Sequence, residues 1–370
     1  MKLIHAGLAL LILLSCGCGE DDVYNPCAGV QQFDQEGMLT HYADDIIVPG
    51  YAALRQRTDR LVEDLDDFVG SPSVASLATA RATFLETYLL WQQVSVYSFG
   101  PAESRDLVAK VNPFPTNTGR IDEIIASDSD EDLNFHSNSA NAFARGLPAL
   151  DYLLFGADAA AIVDRYHGAP GAQRLGLVTL VIALDVEAEV ESVLESWQSD
   201  YRDQFVANTG TAAGSSLSLL VNSLNEHYEN IKRDKLGIPS GIVTAGIPNP
   251  TKTEAFFSGN SVALATEALR GSQMAFEGGS GIGLDDLLLS LDARTADGEP
   301  LAATISTIYE AAIDAVGALP DPLSATIESD LASVNNAYAT TTRNVVRLKT
   351  DMTSALCVDV TYLDNPSDTD

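Results

Sequence analysis

The chain has 370 residues and carries 21 Lys plus Arg against 52 Asp plus Glu, a formal net charge of −31. A body this acidic repels nucleic acid and anionic lipid headgroups, which excludes both as partners, while cation binding stays compatible with the charge. The length allows one large or two medium domains.

In chain order, Met1 and Lys2 form a minimal basic start, and residues 6–14 (AGLALLILL) form an apolar run too short for a stable membrane span. This predicts a secretory signal peptide over 1–15. Its end, Leu13-Leu14-Ser15-Cys16, resembles the lipobox of bacterial lipoproteins, which implies cleavage before Cys16 and lipid on its sulfur. The alternative is a plain signal peptide that happens to meet a cysteine. Residues 16–29, with the stretch GCGEDD, read as an acidic tether. Beyond the signal no segment reaches the length of a membrane helix, so the lipid is the expected attachment to the membrane. Of the other cysteines, Cys27 and Cys357 flank the globular part and are candidates for a disulfide joining the chain ends; two unpaired thiols are the alternative.

Apolar residues recur at helical spacing over 31–69, with Pro49-Gly50 predicting a kink or break. Ser71-Pro72-Ser73 caps a second helix over 73–99, which ends at Gly100-Pro101. Residues 101–137 are loop-rich, with a short helix at 121–126 and a solvated acidic stretch, SDSDED, at 127–132. Further helices are predicted over 139–155, 175–206, 217–236, 261–276, 301–319 and 324–356, and only the tail CVDVTYLD suggests an extended piece. The chain is therefore all-α: two helical bundles, 30–168 and 169–356, divided at Gly168-Ala169-Pro170-Gly171, with the tail over 357–370. A faint echo between Ala144-Arg145-Gly146 and Leu269-Arg270-Gly271 hints at an old duplication.

Catalytic signatures are sparse. There is no HExxH and no GxSxG; His41, His136, His167 and His227 lack a helical second ligand apart from Asp44 beside His41, which reads as a surface hydrogen-bonded pair. The glycines of EGGSGIGLDD, leaving a helix, read as a connector. Asp151 stands out because it sits in an apolar helix, RGLPALDYLLFG, and a buried carboxylate needs a partner: Arg145, backbone N–H groups, another helix or a cation. Glu254, between a Pro-rich loop and a helix, is a similar case, or simply a cap.

These segments resemble the imelysin family. RGLPALDYLLFG is similar to its GxHxxE motif followed by an apolar run and an aromatic-Gly pair; WQQVSVYSFGP, KRDKLGIPSGI, Glu254-x-x-Phe257-Ser258-x-Asn260-Ser261 and LRGSQMAFEGG are similar to its other signatures. The resemblance implies an exported, often lipid-anchored protein of two helical bundles with a site between them, comprising Arg145, Gly146, Asp151, Glu254, Ser258 and Ser261 here. It also implies either metallopeptidase activity or a role in iron uptake, with iron or another divalent cation as the implied cofactor and Asp151 and Glu254 as weak metal candidates. At the motif, however, Pro148 stands where the family has histidine and Asp151 where it has glutamate. Proline offers no ligand atom on its side chain, so the peptidase expectation weakens. The reading is a non-catalytic envelope lipoprotein that binds a ligand, metal or partner in iron acquisition, on the outer membrane and facing the periplasm or the surface. A metallopeptidase with a rearranged metal site and a structural surface lipoprotein are the alternatives.

Overall fold

The computed structural model of the chain describes residues 27–135 and 138–361. The signal peptide, most of the tether with Cys16 and Cys18, His136 and the chain after residue 361 lie outside the described residues. Every regular element among the described residues is helical, apart from an isolated bridge between Arg294 and Pro300. The principal helices are α1 (Val48–Gly70), α2 (Val74–Val94), α3 (Gly146–Phe155), α4 (Ala172–Ser196), α5 (Ser216–Asn230), α6 (Ser261–Glu277), α7 (Leu301–Gly317) and α8 (Leu331–Val346).

Local chemistry sets most of the helix ends. Ser73 and Ser76 form a reciprocal capping box that starts α2, and Asp158 accepts from the Ala161 N–H at the head of Ala159–Tyr166. Of the kink or break expected at Pro49-Gly50, the break does not occur. Instead Gln35–His41 runs through a π-helical turn, Tyr42–Ile47, directly into α1. The wider turn shifts the hydrogen-bond register just before Pro49, so the missing proline N–H falls where the helix is already re-indexed. The helix expected over 139–155 begins only at Gly146, because that residue has φ +72° and turns the chain out of a short 3-10 piece, Ser139–Asn141. The His41–Asp44 pair is also redistributed: His41 Nδ1 lies 2.8 Å from Asp45 Oδ2, while Asp44 binds Arg202. Residues 357–361 form no strand, but Asn222 pins them by donating to the Asp359 carbonyl and accepting from the Thr361 N–H.

The helices pack in two groups. α1 lies against α2 and α4, and α3 against α4; α7 lies against α6 and α8, and α5 against α6. α4 follows the loop at 168–171, yet its buried stripe of Val178, Ile182, Val186, Val190 and Val193 packs mainly on helices that precede that loop. The two groups meet where α6 crosses α2. There Gly271 brings the backbones together, since a Cβ would lie 2.7 Å from the Gln93 Cα. Gly146 has a different role, at the start of a helix, so the Arg-Gly echo joins two structurally unlike positions. Phe84, Tyr88 and Trp91 on α2 are fully or almost fully buried, each contributing about 2–3 kcal/mol of transfer free energy. Cys27 and Cys357 form a disulfide with Cα atoms 5.9 Å apart, tying the two ends of the described chain. No single helix among the described residues is long and apolar enough to cross a membrane.

Candidate functional site

The site forms where α2, α3 and α5 meet the turn that leads into α6. α5 continues into a π-helical segment, Ile231–Gly237, which carries Lys235. The turn at 254–260 contains two residues of positive φ, Ala255 at 49° and Gly259 at 71°. For alanine that conformation is strained, and it lies immediately after Glu254.

Glu254 is the centre of the arrangement and is 1% exposed. Its Oε1 accepts from Gln92 Nε2 at 3.0 Å and from Asn112 Nδ2 at 2.7 Å, and its Oε2 accepts from Lys235 Nζ. Lys235 Nζ also donates to Gln92 Oε1 at 2.8 Å and lies 5.4 Å from the centre of the Phe114 ring. Tyr88 Oη completes the network by donating to Asn112 Oδ1 at 2.6 Å. A buried carboxylate is thus offset by one ammonium and two amide donors, the condition under which a buried ion pair is tolerated.

Asp151, on α3 and also 1% exposed, is held by the same turn. Its carboxylate accepts from the backbone N–H of Phe257 at 2.9 Å and of Ser258 at 3.1 Å. Burial pushes its carboxyl up to about 6, against the opposing pull of the Ser258 and Phe257 hydrogen bonds, and the nearby Glu254 charge adds to the rise. Ser261 Oγ donates to the Glu254 carbonyl at 2.5 Å, and Ser258 Oγ to that of Ala255 at 3.5 Å, so both serines fix the turn.

Of the residues the sequence singled out, Asp151, Glu254, Ser258 and Ser261 therefore come together. Arg145 does not join them. It donates to Asp185 on α4 and to the Phe135 carbonyl, an ion pair that anchors the start of α3. Gly146 acts through its backbone: a Cβ would lie 2.4 Å from the Val111 carbonyl oxygen, so only glycine lets α3 approach the strip that presents Asn112. Pro148 lies buried in the first turn of α3, where its missing N–H is one of the unpaired helix donors.

Lys235, Gln92 and Asn112 are not singled out by the sequence, although Gln92 and Lys235 lie inside the quoted WQQ and KRDKLGIPSGI segments, and His227 enters it only as a histidine without a second ligand on its helix. His227 on α5 has Nε2 3.1 Å from Ser95 Oγ, while its Nδ1 has no partner. Burial first, and the Lys235 charge second, hold its pKa down to about 3, so the imidazole is neutral. A cavity of about 500 Å³ opens beside this network, walled by Gln92, Asn112, Phe114, His227 and Lys235 among others.

The donor chemistry does not fit a metal centre. Glu254 is neutralised by Lys235, Asp151 is engaged by two backbone N–H groups, and Pro148 supplies nothing. Among the described residues no three His, Cys, Asp or Glu side chains come together as a ligand set.

Fold and site together define an all-helical protein with a buried acid–lysine centre beside a ligand-sized cavity. A family model described as Imelysin matches residues 47–350, and the chain belongs to that family. It is 23% identical over 341 residues to iron-regulated protein A of Synechococcus elongatus, covering 89% of this chain and 87% of that protein. Its fold is similar to the crystal structure of an iron-regulated protein A precursor from Parabacteroides distasonis, with TM-score 0.74, 17% identity and coverage of 87% of this chain and 95% of that one. It is similar also to an imelysin-like protein from Psychrobacter arcticum, with TM-score 0.67, 20% identity and coverage of 89% and 97%.

Proposed function

We propose that this chain is an exported, lipid-anchored, non-catalytic member of the imelysin family that holds a ligand in the cavity beside Lys235 and serves iron acquisition in the bacterial cell envelope. The observation that carries the reading is the Lys235–Glu254 pair: the carboxylate that remains in the family-like turn is bound to an ammonium rather than left free for a cation. The cavity next to it is in the size range of small-molecule sites, which run from about 300 to 1,000 Å³. The iron connection is supported by the naming of the Synechococcus relative as an iron-regulated protein. Anchoring through Cys16, and attachment to the outer membrane with the periplasm or the surface as its face, follow from the lipobox-like sequence.

The test is complementation of a deletion strain by the wild type, Cys16→Ala and Ser98→Trp, the last placing an indole in the cavity wall. Radioiron uptake under iron limitation is expected to return with the wild type and not with either variant. Full uptake with both variants contradicts the proposal, as does chelator-sensitive proteolysis by the purified protein.

A further inference from the structure

The helix Gln35–His41 and the glycine-rich segment 278–283, which follows α6, meet at His41, whose partner Gly278 lies 237 residues further along the chain. His41 Nδ1 lies 2.8 Å from Asp45 Oδ2, and Nε2 lies 2.7 Å from the Gly278 carbonyl oxygen. A carboxylate and a carbonyl both accept, and a neutral imidazole carries a single N–H, so only the imidazolium form donates to both. The segment is shaped to the ring. Gly278 ends α6 in the left-handed region at φ +66°, and at Gly281 a Cβ would overlap the imidazole, lying 2.7 Å from its Cδ2. Tyr42, the next residue, brackets the segment: its Oη donates to the Ala275 carbonyl at 2.6 Å and accepts from the Leu284 N–H at 3.3 Å.

The other charges around this contact are committed elsewhere. On the π turn, Asp44 pairs with Arg202, which also holds Asp203 on its own helix. Glu277 accepts from Gln273, and Asp286 accepts from the Gly283 N–H. Asp285 is raised to about 6 by burial first, then by Asp286, with a further contribution from Glu277. α5, which also packs on Gln35–His41, carries Glu226, His227 and Glu229, whose charged neighbours are Glu103, Lys235 and Lys232. Asp45 is therefore the counter-ion of His41.

We infer that His41 is a pH-sensitive latch: as imidazolium it clasps the segment 278–283 to the N-terminal helix Gln35–His41, and on giving its proton to solvent it releases that segment. The carboxylate is the stronger acceptor, so the remaining N–H stays on Nδ1 facing Asp45. The Nε2 lone pair then faces the Gly278 carbonyl oxygen, and the two repel. Burial opposes the charge on the ring, but the Gly278 carbonyl and Asp45 outweigh it and raise His41 above the ordinary histidine value. The folded chain thus holds this proton more tightly than the unfolded chain. The latch contributes its full stability below about pH 6.5 and loses it as pH rises through the raised value. Because α6 begins just after the Glu254 turn and ends at Gly278, the latch ties the N-terminal helix to the helix that leaves the candidate site.

Hydrogen exchange of the stretch 278–284, corrected for the intrinsic pH dependence of exchange, tests this on the purified chain with its disulfide intact, beside an NMR titration of His41. The wild type is expected to lose protection there by at least about tenfold between pH 5.5 and pH 8.5, the loss of one hydrogen bond to a charged group, with its midpoint at the His41 titration. H41Q is expected to be poorly protected at both pH values, which separates the part played by Asp285 in the same range. D45N, at an exposed position, is expected to lower the His41 midpoint and the pH of release together, and supplies the comparison if H41Q does not fold. Wild-type protection that is equal at the two pH values overturns the latch. So does a His41 that titrates below the ordinary histidine value, an H41Q that loses protection with pH as the wild type does, or a D45N whose release pH is unchanged.

Discussion

Replacing Lys235 by methionine removes an ammonium from a carboxylate that is 1% exposed while keeping most of the side-chain volume. Glu254 Oε1 keeps its bonds from Gln92 and Asn112, but Oε2 is left without its donor. Breaking a buried pair in this way costs about 3–5 kcal/mol. Gln92 Oε1, which accepts from Lys235 at 2.8 Å, also loses a partner in a buried position, adding about 1 kcal/mol. Since the two surviving amide donors still solvate half of the carboxylate, the lower part of that range is appropriate and the net loss is about 4 kcal/mol. For a chain of 370 residues this corresponds to a fall in Tm of about 5–6 °C. The double variant Lys235→Met/Glu254→Gln removes both charges and is expected to cost only about 1–2 kcal/mol, so the coupling is at least about 2 kcal/mol, because Glu254→Gln alone adds its own cost to that of Lys235→Met. Urea unfolding of the four proteins with the disulfide intact measures the cycle. A Lys235→Met loss below about 1 kcal/mol, or a coupling below about 0.5 kcal/mol, refutes the view that the two charges are held as one unit.

Three further outcomes follow from the same geometry. Asp151 is raised to about 6 in the folded chain, so the folded state holds its proton more tightly than the unfolded chain does. The stabilisation from this group is therefore present at about pH 4 and is lost as pH rises to about 6, and wild-type stability relative to Asp151→Asn should fall by up to about 3 kcal/mol between those limits. Urea midpoints at several pH values check this, and a pH-independent difference contradicts it. Gly146→Ala places a methyl group 2.4 Å from the Val111 carbonyl oxygen at φ +72°, and should cost at least about 2 kcal/mol in the same assay and weaken any ligand binding that depends on Asn112. Cys27→Ser/Cys357→Ser opens a loop spanning 330 residues and is expected to lower stability by about 2–5 kcal/mol, with thiol titration of the unreduced wild type showing neither cysteine free.

The helical architecture was legible because its signals are local. Apolar stripes such as Leu54, Leu61, Leu65 and Phe68 recur within one helix, and caps such as Ser73 are adjacent to what they cap. Of the kink or break expected at Pro49, the break is absent because a π turn, which depends on hydrogen-bond register rather than on residue type, precedes it in one continuous helical run. The pairing of Cys27 with Cys357 was readable only as a candidate, since sequence does not carry connectivity. At the site, Asp151 and Glu254 were visible as charges in apolar surroundings. Their partners were not, because Lys235 reaches Glu254 from 19 residues away and Gln92 from 162, across elements whose contact no local pattern encodes. Arg145 was the nearest cation in sequence to Asp151 but is committed to Asp185, 40 residues further on. His227 has no second ligand on its own helix, and its place in the wall of a cavity comes entirely from tertiary packing.

The central claim is that Glu254 is bound to Lys235 and that the turn beside Asp151 is not a metal centre. Anomalous diffraction at the zinc and iron absorption edges, from crystals grown with excess of each metal, addresses it most directly. The expected result is Lys235 Nζ in hydrogen-bond contact with Glu254 and no anomalous peak at either carboxylate. A peak within about 2.2 Å of a Glu254 or Asp151 carboxylate oxygen, with Lys235 displaced, would contradict it.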